Sequence, residues 1–475
     1  MPIYEPIIGL EIHLETKTKT KMFSNAPVDF NASPNSKVVS LDLGEPGTLP
    51  TVNKAAVEKA LMMCDALHMN IDNVLRFDRK NYFYADLPKG YQITQQDFPI
   101  GRGGYVLIHL EDGTPKRIEL ERLHMEEDTA KQIHFSDYTL IDYNRAGTPL
   151  VEIVTKPVIK SGYEAMRYVE KIRSIAQFLG ISDGRMEEGS LRCDVNISIR
   201  AVGEIKFGTK VEIKNLNSIA NVRKSIEFEI QRQTEILEGG GKVLQETRRY
   251  DEGQKSTILM RMKTDAVDYK YFREGNILPI TLTKSFIKKV LDRTPESPDT
   301  KYDRYTKVFG LSHLESTKLL ENLDLTLYFD KIAKRTEFYQ TAYNFLKGEV
   351  SAYLNAKEID IADLPLRIES LARLFDLLGA EKINNKTARE FFSAMLNGES
   401  LESLYEKSKE NSLTVDDIRV MVNSVLDANM QLIEDYKNGK DRAFGFFVGQ
   451  IMKRSGGKAD PKIANSILKD ELDKR

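Results

Sequence analysis

Near the N-terminus the chain alternates every second residue, setting Leu10, Ile12 and Leu14 against Glu11, His13 and Glu15. Successive side chains of a strand point to opposite faces, so this run predicts a strand with an apolar back and a carboxylate–imidazole–carboxylate front. The device recurs. Leu191, Cys193, Val195, Ile197 and Ile199 alternate with Arg192, Asp194, Asn196, Ser198 and Arg200. Val211-Glu212-Ile213 sets one acid between two β-branched residues, with Lys210 and Lys214 on the acid's side. Such strands predict an antiparallel sheet whose charged face lines a polar cleft.

Further strands are expected over 3–15, 105–110, 117–123 and 151–154. Helical spacing of Ala56, Ala60, Met63 and Leu67 predicts a helix over 53–68. A second is expected over 163–179, capped by Gly180, and a third over 218–237, stopped by three glycines. Strands and helices segregated in this way indicate an α+β fold rather than a doubly wound sheet. Beyond the proline-punctuated stretch 293–299 strand signals fade, and helices are expected over 311–334, 336–346, 364–378 and 385–396. A second compositional shift at 397–411 precedes a small helical module. The expected domains are therefore 1–294, 295–405 and 406–475.

With 475 residues, 41% hydrophobic and 29% charged, the composition is that of a globular protein with ample core. Lys plus Arg (69) nearly balances Asp plus Glu (71), so any nucleic-acid surface must be a local patch. Two cysteines, Cys64 and Cys193, cannot build a disulfide framework. With no signal-peptide pattern and no membrane-length apolar run, the expected location is the cytoplasm.

Acid-lined strands need a counter-charge. Two carboxylates about 5 Å apart repel by roughly 3 kcal/mol at an effective dielectric near 20. A hard cation such as Mg²⁺, or paired Lys and Arg, would relieve that; equally, each row taken alone fits the wet face of an exposed sheet. The string LHMEED at 123–128 is the densest titratable cluster, putting His124, Glu126 and Asp128 on one strand face. In isolation it reads as an exposed turn, and it gains meaning only if it faces Glu11 and His13. Residues 77–84 interleave basic and aromatic side chains, which suits phosphate contact and base stacking or a plain surface loop. From Lys437 to Lys469 the chain carries a net +6 over 33 residues, a candidate RNA-backbone surface or a solvated helix pair. No P-loop, Gly-x-Ser-x-Gly elbow or His-Glu-x-x-His helix is present.

Taken in order, the strings GLEIHLE (9–15), DRKNYFY (78–84), LHMEED (123–128), NRAGTPLVEI (144–153), MEEGSLRCDVN (186–196), EIKNLNS (212–218), QETRRY (245–250) and GFFVGQIMK (445–453) closely resemble the B subunit of the bacterial glutamyl-/aspartyl-tRNA amidotransferase. The resemblance runs end to end. It implies an antiparallel-sheet cradle similar to the glutamine synthetase catalytic domain, an all-α domain, and a small YqeY-like tail that binds tRNA. The implied reaction is ATP-dependent phosphorylation of the side-chain carboxylate of Glu-tRNA(Gln) or Asp-tRNA(Asn), followed by displacement of phosphate by ammonia. The implied partners, completing a heterotrimer, are a small C subunit plus the glutaminase (amidase) A subunit. The implied cofactors are ATP and Mg²⁺.

Carried over by motif, Glu11, His13, Glu126, Glu152 and Glu212 are the expected metal ligands. Glu126, Glu152, Lys80 and Lys89 are the expected catalytic groups, the lysines on the ammonia route or the phosphate. Arg79, Lys80 and Lys214 are assigned to the nucleotide, and Lys437, Lys440, Lys453, Arg454 and Lys458 to tRNA. Zinc-bearing members of the family carry two cysteine pairs where this chain has Ser24, Ala26, Val39 and Asp42, so no zinc is expected. Two other classes stay open: a tRNA-binding scaffold with an inert cleft, and a metal-dependent nuclease or phosphotransferase acting on tRNA.

Overall fold

The computed structural model describes residues 4–262, 268–410, 413–437, 442–456, 459 and 461–475. Within them the chain forms two compact units, one of residues 1–308 with 313–323, the other of residues 309–312 with 324–475.

The first unit is built on a ten-stranded sheet. Its main elements in chain order are β1 (Tyr4–Glu15), α1 (Lys54–Ala66), β2 (Asp78–Asn81), β3 (Tyr91–Thr94), β4 (Pro115–Glu127), β5 (Pro149–Thr155), α2 (Gly162–Phe178), β6 (Leu191–Ala201), β7 (Val211–Lys214), α3 (Ile219–Glu238), β8 (Glu246–Asp251) and β9 (Ser256–Met262). Across the sheet the order is β9-β8-β7-β6-β1-β5-β4, continued by two short strands. Strands β2 and β3 pair in a separate small sheet. Among the main strands only β7 and β8 run parallel; the other pairs are antiparallel.

The alternation read in the sequence sorts the two faces. Leu10, Ile12 and Leu14 are fully buried and pack with Val151, Ile153, Val195 and Ile197 in one core. Apolar stripes of α1, α2 and α3 (Ala60 and Leu61, Val169 and Ile172, Val222 and Ile226) belong to that core and cover the sheet's apolar face. Each of the three helices is started by a side chain that accepts from its first-turn amides: Asn53, Ser161 and Ser218. The charged face is thus left on the other side.

Several elements depart from the sequence reading. Strand β4 runs on to Glu127 instead of ending near Leu123, so the LHMEED string is a buried strand and not an exposed turn. The helix expected over 311–334 is two helices, His313–Leu320 and Leu323–Ala333. The helix expected over 364–378 begins only at Ile368, after Pro365 has forced Leu364 away from helical backbone. The polar stretch 397–411 contains a helix, Leu401–Glu410. The stretch 293–299 joins two helices, with Ser297 capping the second at Pro298.

In the second unit, α4 (Val415–Asp427), α5 (Arg442–Arg454) and α6 (Pro461–Lys474) enclose their own core of Ile418, Val422, Leu426, Phe447, Ile451 and Leu468. Among the described residues no helix is long and apolar enough to cross a membrane.

Candidate metal centre

Strand register builds the centre. His13 stands directly opposite Arg192 on β6 and Glu152 on β5, and Glu152 stands opposite His124 on β4. Four adjacent strands therefore carry the row Arg192–His13–Glu152–His124. Two residues along β4 from His124, on the same face, Glu126 leans in. His13 Nε2 lies 3.3 Å from Glu152 Oε2 and 3.8 Å from Glu126 Oε1. His124 Nε2 lies 3.2 Å from Glu152 and 3.6 Å from Glu126. Thr94 Oγ1 on β3 donates to Glu126 at 3.3 Å.

One ligand atom each from His13, Glu126 and Glu152 fall within 4.8 Å of one another. One imidazole nitrogen and two carboxylates so placed can share a divalent cation, and an oxygen-rich set favours a hard one. The charges already answer each other. Burial alone would raise the Glu152 carboxyl, yet His124 and His13 hold it well below its ordinary range. Burial opposes a charge on His124, but Glu152 and Glu126 push that imidazole up to about 9. His13 is likewise raised, its glutamates outweighing its burial. Without a cation, the His124 imidazolium is the acids' counter-ion, with His13 beside it.

Of the five expected ligands, His13, Glu126 and Glu152 are brought together. Glu11 sits on the same face, one turn of the alternation from His13, opposite Asp194. It accepts from Asn196 Nδ2 at 2.8 Å, and burial, then Glu152 and Asp194, raise its carboxyl. Glu212 is two strands from β1, on β7, accepting from Thr247 Oγ1 at 2.9 Å and lying 3.3 Å from Lys214. Lys214 reaches Asp194 at 2.5 Å and so closes this acidic flank. Glu15, the third member of the expected row, turns to Asp128 instead; burial and Asp128 push it up to about 8, while Arg192 and Arg145 hold Asp128 low.

Two expected groups are engaged elsewhere. Arg79 makes a two-pronged pair with fully buried Glu274 at 2.6 and 3.1 Å and stacks over Tyr91. Lys89 donates to both oxygens of buried Glu127 at 2.5 and 2.6 Å. Lys80 lies over the Tyr269 and Tyr82 rings. In the tail Lys437, Lys453 and Arg454 are exposed; Lys440 and Lys458 fall outside the described residues.

Sequence reasoning left His124 and Asp194 out of the site. Both were on the charged side of an alternating run, and the missing signal was the register that sets them against Glu152 and Glu11.

A family profile described as the GatB/GatE catalytic domain matches residues 6–288, and one described as the GatB domain matches residues 327–472. The chain is 47% identical over 471 residues to the B subunit of the aspartyl/glutamyl-tRNA(Asn/Gln) amidotransferase of Mycoplasma capricolum, covering 98% of each chain. It is 46% identical to the same subunit of Bacillus licheniformis and of Staphylococcus saprophyticus, covering 99% of this chain and all of each relative. With a catalytic-domain match across nearly all of the sheet unit and relatives aligned over nearly their full length, the chain belongs to the GatB family of aspartyl/glutamyl-tRNA(Asn/Gln) amidotransferase B subunits.

Proposed function

We propose that the chain is the ATP-dependent, carbon–nitrogen bond-forming subunit of a tRNA-dependent amidotransferase. Its substrates are Glu-tRNA(Gln), Asp-tRNA(Asn) or both, and its products the corresponding Gln- and Asn-tRNAs. The observation that carries the reading is the convergence of His13, Glu126 and Glu152, from three segments, within 4.8 Å on one sheet face.

The donor set fits a Mg²⁺ ion, with His13, Glu126 and Glu152 as its holders and Glu11 and Glu212 further along the face as the expected additional carboxylates. Bound there, the ion would neutralise triphosphate charge. The chain's own groups do the rest. His124, in ion-pair contact with Glu152 and Glu126, has the role of an outer partner that fixes metal-binding oxygens. Lys214, paired with Asp194 on the flank, and Lys80, lying over two tyrosine rings, are the cations available to a phosphate. Arg79 and Lys89 brace β2 and the loop before β3 through their buried glutamates.

The remaining parts of the reading follow the family resemblance. The sheet unit is a cradle similar to glutamine synthetase, and the division is 1–294, 295–405 and 406–475. Ammonia comes from the glutaminase (amidase) A subunit, braced by the small C subunit, in the cytoplasm. Lys437, Lys453 and Arg454 meet the tRNA backbone, together with Lys440 and Lys458.

The test is reconstitution with an amidase partner, supplying each mischarged tRNA in turn. Glu152→Gln should abolish ATP-dependent amidation while leaving tRNA affinity within about twofold. Loss of tRNA binding with normal ATP turnover overturns the assignment, and a wild-type complex that binds tRNA but never consumes ATP marks an inert scaffold.

A further inference from the structure

Next to the row Arg192–His13–Glu152–His124, two residues further along the same strands, runs a second row: Asp194, Glu11, Val154 and Arg122. Arg122 belongs to the charged face because Leu123 and Met125, out of phase with it on β4, are fully buried in the core behind.

Its lack of a partner singles it out. Lys214, Arg192 and Lys89 each already hold a carboxylate, on Asp194, Asp128 and Glu127. Among the described residues Arg122 meets none. It is half-buried, and its Nε–H is shut away from solvent with no acceptor. A donor stripped of water and given no partner destabilises the chain that carries it, so its retention asks for an acceptor from outside. The planar guanidinium fork suits a carboxylate, which it can hold through two parallel hydrogen bonds.

Arg122 also shares surroundings with the acids. Burial, then Tyr269, Glu126 and Glu152, raise the Tyr271 phenol above its ordinary range, while Arg122 pulls it the other way. One hydroxyl thus feels two acids of the cluster and the guanidinium together. Between Arg122 and Glu11 stands Val154, half-buried and the one apolar member of the row. Two strand spacings, about 10 Å, separate the strand of Arg122 from that of Glu11, and Val154 lies two residues, about 7 Å, from Glu152. A short aliphatic stem laid on Val154 brings its carboxylate to Arg122, within reach of a phosphoryl group held at the cluster.

We propose that Arg122 is a catalytic residue of the amidation, receiving the side-chain carboxylate of the aminoacyl group while Val154 underlies its methylenes. This rests on the ATP-dependent reading above. In the first step a carboxylate oxygen bonds to the γ-phosphorus, and the bond from that phosphorus to the β–γ bridging oxygen breaks, releasing ADP. In the second, the nitrogen of ammonia bonds to the acyl carbon, and negative charge gathers on the carbonyl oxygen that Arg122 still holds. Collapse breaks the bond from that carbon to the phosphate oxygen, and one ammonia proton leaves with the phosphate. A single fixed guanidinium serves both steps, first as an anchor and then as an oxyanion partner.

The test compares wild type with Arg122→Gln in the complex reconstituted with an amidase partner, using the mischarged tRNA that wild type amidates. Amidation should slow about 100-fold or more, as loss of one oxyanion donor does, while affinities for Mg-ATP and uncharged tRNA stay within about twofold. Wild type should bind the mischarged tRNA about tenfold or more tightly than its amidated product, because a hydrogen-bonded charge is lost on amidation. Arg122→Gln should level that preference, which a merely bracing role would leave alone. Amidation within about threefold of wild type overturns the proposal. A preference that is absent from wild type, or that survives in Arg122→Gln, does so too. An Mg-ATP affinity lowered about tenfold makes Arg122 a phosphate contact or a brace for the fold, and also overturns it. Wild type that consumes no ATP with any mischarged tRNA overturns the functional reading itself, and this proposal with it.

Discussion

Replacing Lys21 by Met tests how far the strand that carries Glu152 depends on one buried charge pair. Lys21 Nζ and Asp42 Oδ2 are 2.9 Å apart, with 0% and 1% of their side chains exposed. The ammonium also donates to the Tyr143 carbonyl at 3.2 Å. Asp42 accepts from Ser24 Oγ at 2.8 Å and from the Val39 amide at 3.1 Å. Gly147, at φ +87°, passes so near that a Cβ would stand 3.2 Å from both Asp42 Oδ1 and Lys21 Cδ. Two residues later β5 begins and carries Glu152 into place.

Burial pushes the Lys21 amine below its ordinary value, more than Asp42 lifts it. A lysine whose folded pKa is depressed opposes folding at neutral pH, and the opposition fades only as pH climbs towards the unfolded value near 10.4. The pair is therefore no net prop, but breaking it is costly. Lys21→Met strands the Asp42 carboxylate in the interior, a loss of about 3–5 kcal/mol. For a unit of about 300 residues that is a fall of roughly 5–8 °C in melting temperature. Adding Asp42→Asn removes the stranded charge, while the amide oxygen can still accept from Val39. The double variant should return to within about 1 kcal/mol of the parent. Thermal and urea unfolding of the four corners of this cycle give the coupling directly. A single variant that loses under 1 kcal/mol, or a double variant as unstable as the single, refutes the reasoning.

Three further outcomes are expected. In chelator, stability should be greatest below about pH 6.5, the unfolded value of His124, and decline as pH rises through about 9, because the folded imidazole keeps its proton longer; a melting temperature that is flat or rises over that window contradicts it. His124→Asn should weaken Mn²⁺ binding about 10- to 100-fold in equilibrium dialysis, and unchanged affinity would remove His124 from the orienting role. Deleting residues 414–475 should weaken tRNA binding and flatten its salt dependence while leaving the sheet unit folded, since the tail has a core of its own; filter binding at two salt concentrations with unaltered affinity and slope counts against a basic tail.

Much of the fold was legible because burial is one-sided. Where β1, β5 and β6 alternate cleanly, hydrophobic period two announced both the core and the charged face. The end of β4 was not legible, because there Glu126 and Glu127 are buried on opposite faces, one beside His13 and His124 and one against Lys89. Adjacent acids look like a turn until each has its partner. The same holds for Arg79, whose binding carboxylate lies 195 residues away. Long-range pairing, not local pattern, decided which cations were free for a substrate and which were struts. The hydrogen bond that Ser24 Oγ donates to Asp42 ties residues 18 apart in sequence, another pairing that no local pattern announces.

The register that lines up His13, Glu152 and His124 also buries Ile12, Ile153 and Leu123 behind them. A slip of one residue in β1 would turn imidazole into the greasy interior and leucine out among the carboxylates. Core formation therefore proofreads the placement of the charged cluster: a chain that has packed its leucines has, by the same act, brought its imidazoles and carboxylates together. Length changes in these strands should consequently be far harder to tolerate than substitutions, and drift should collect in the loops.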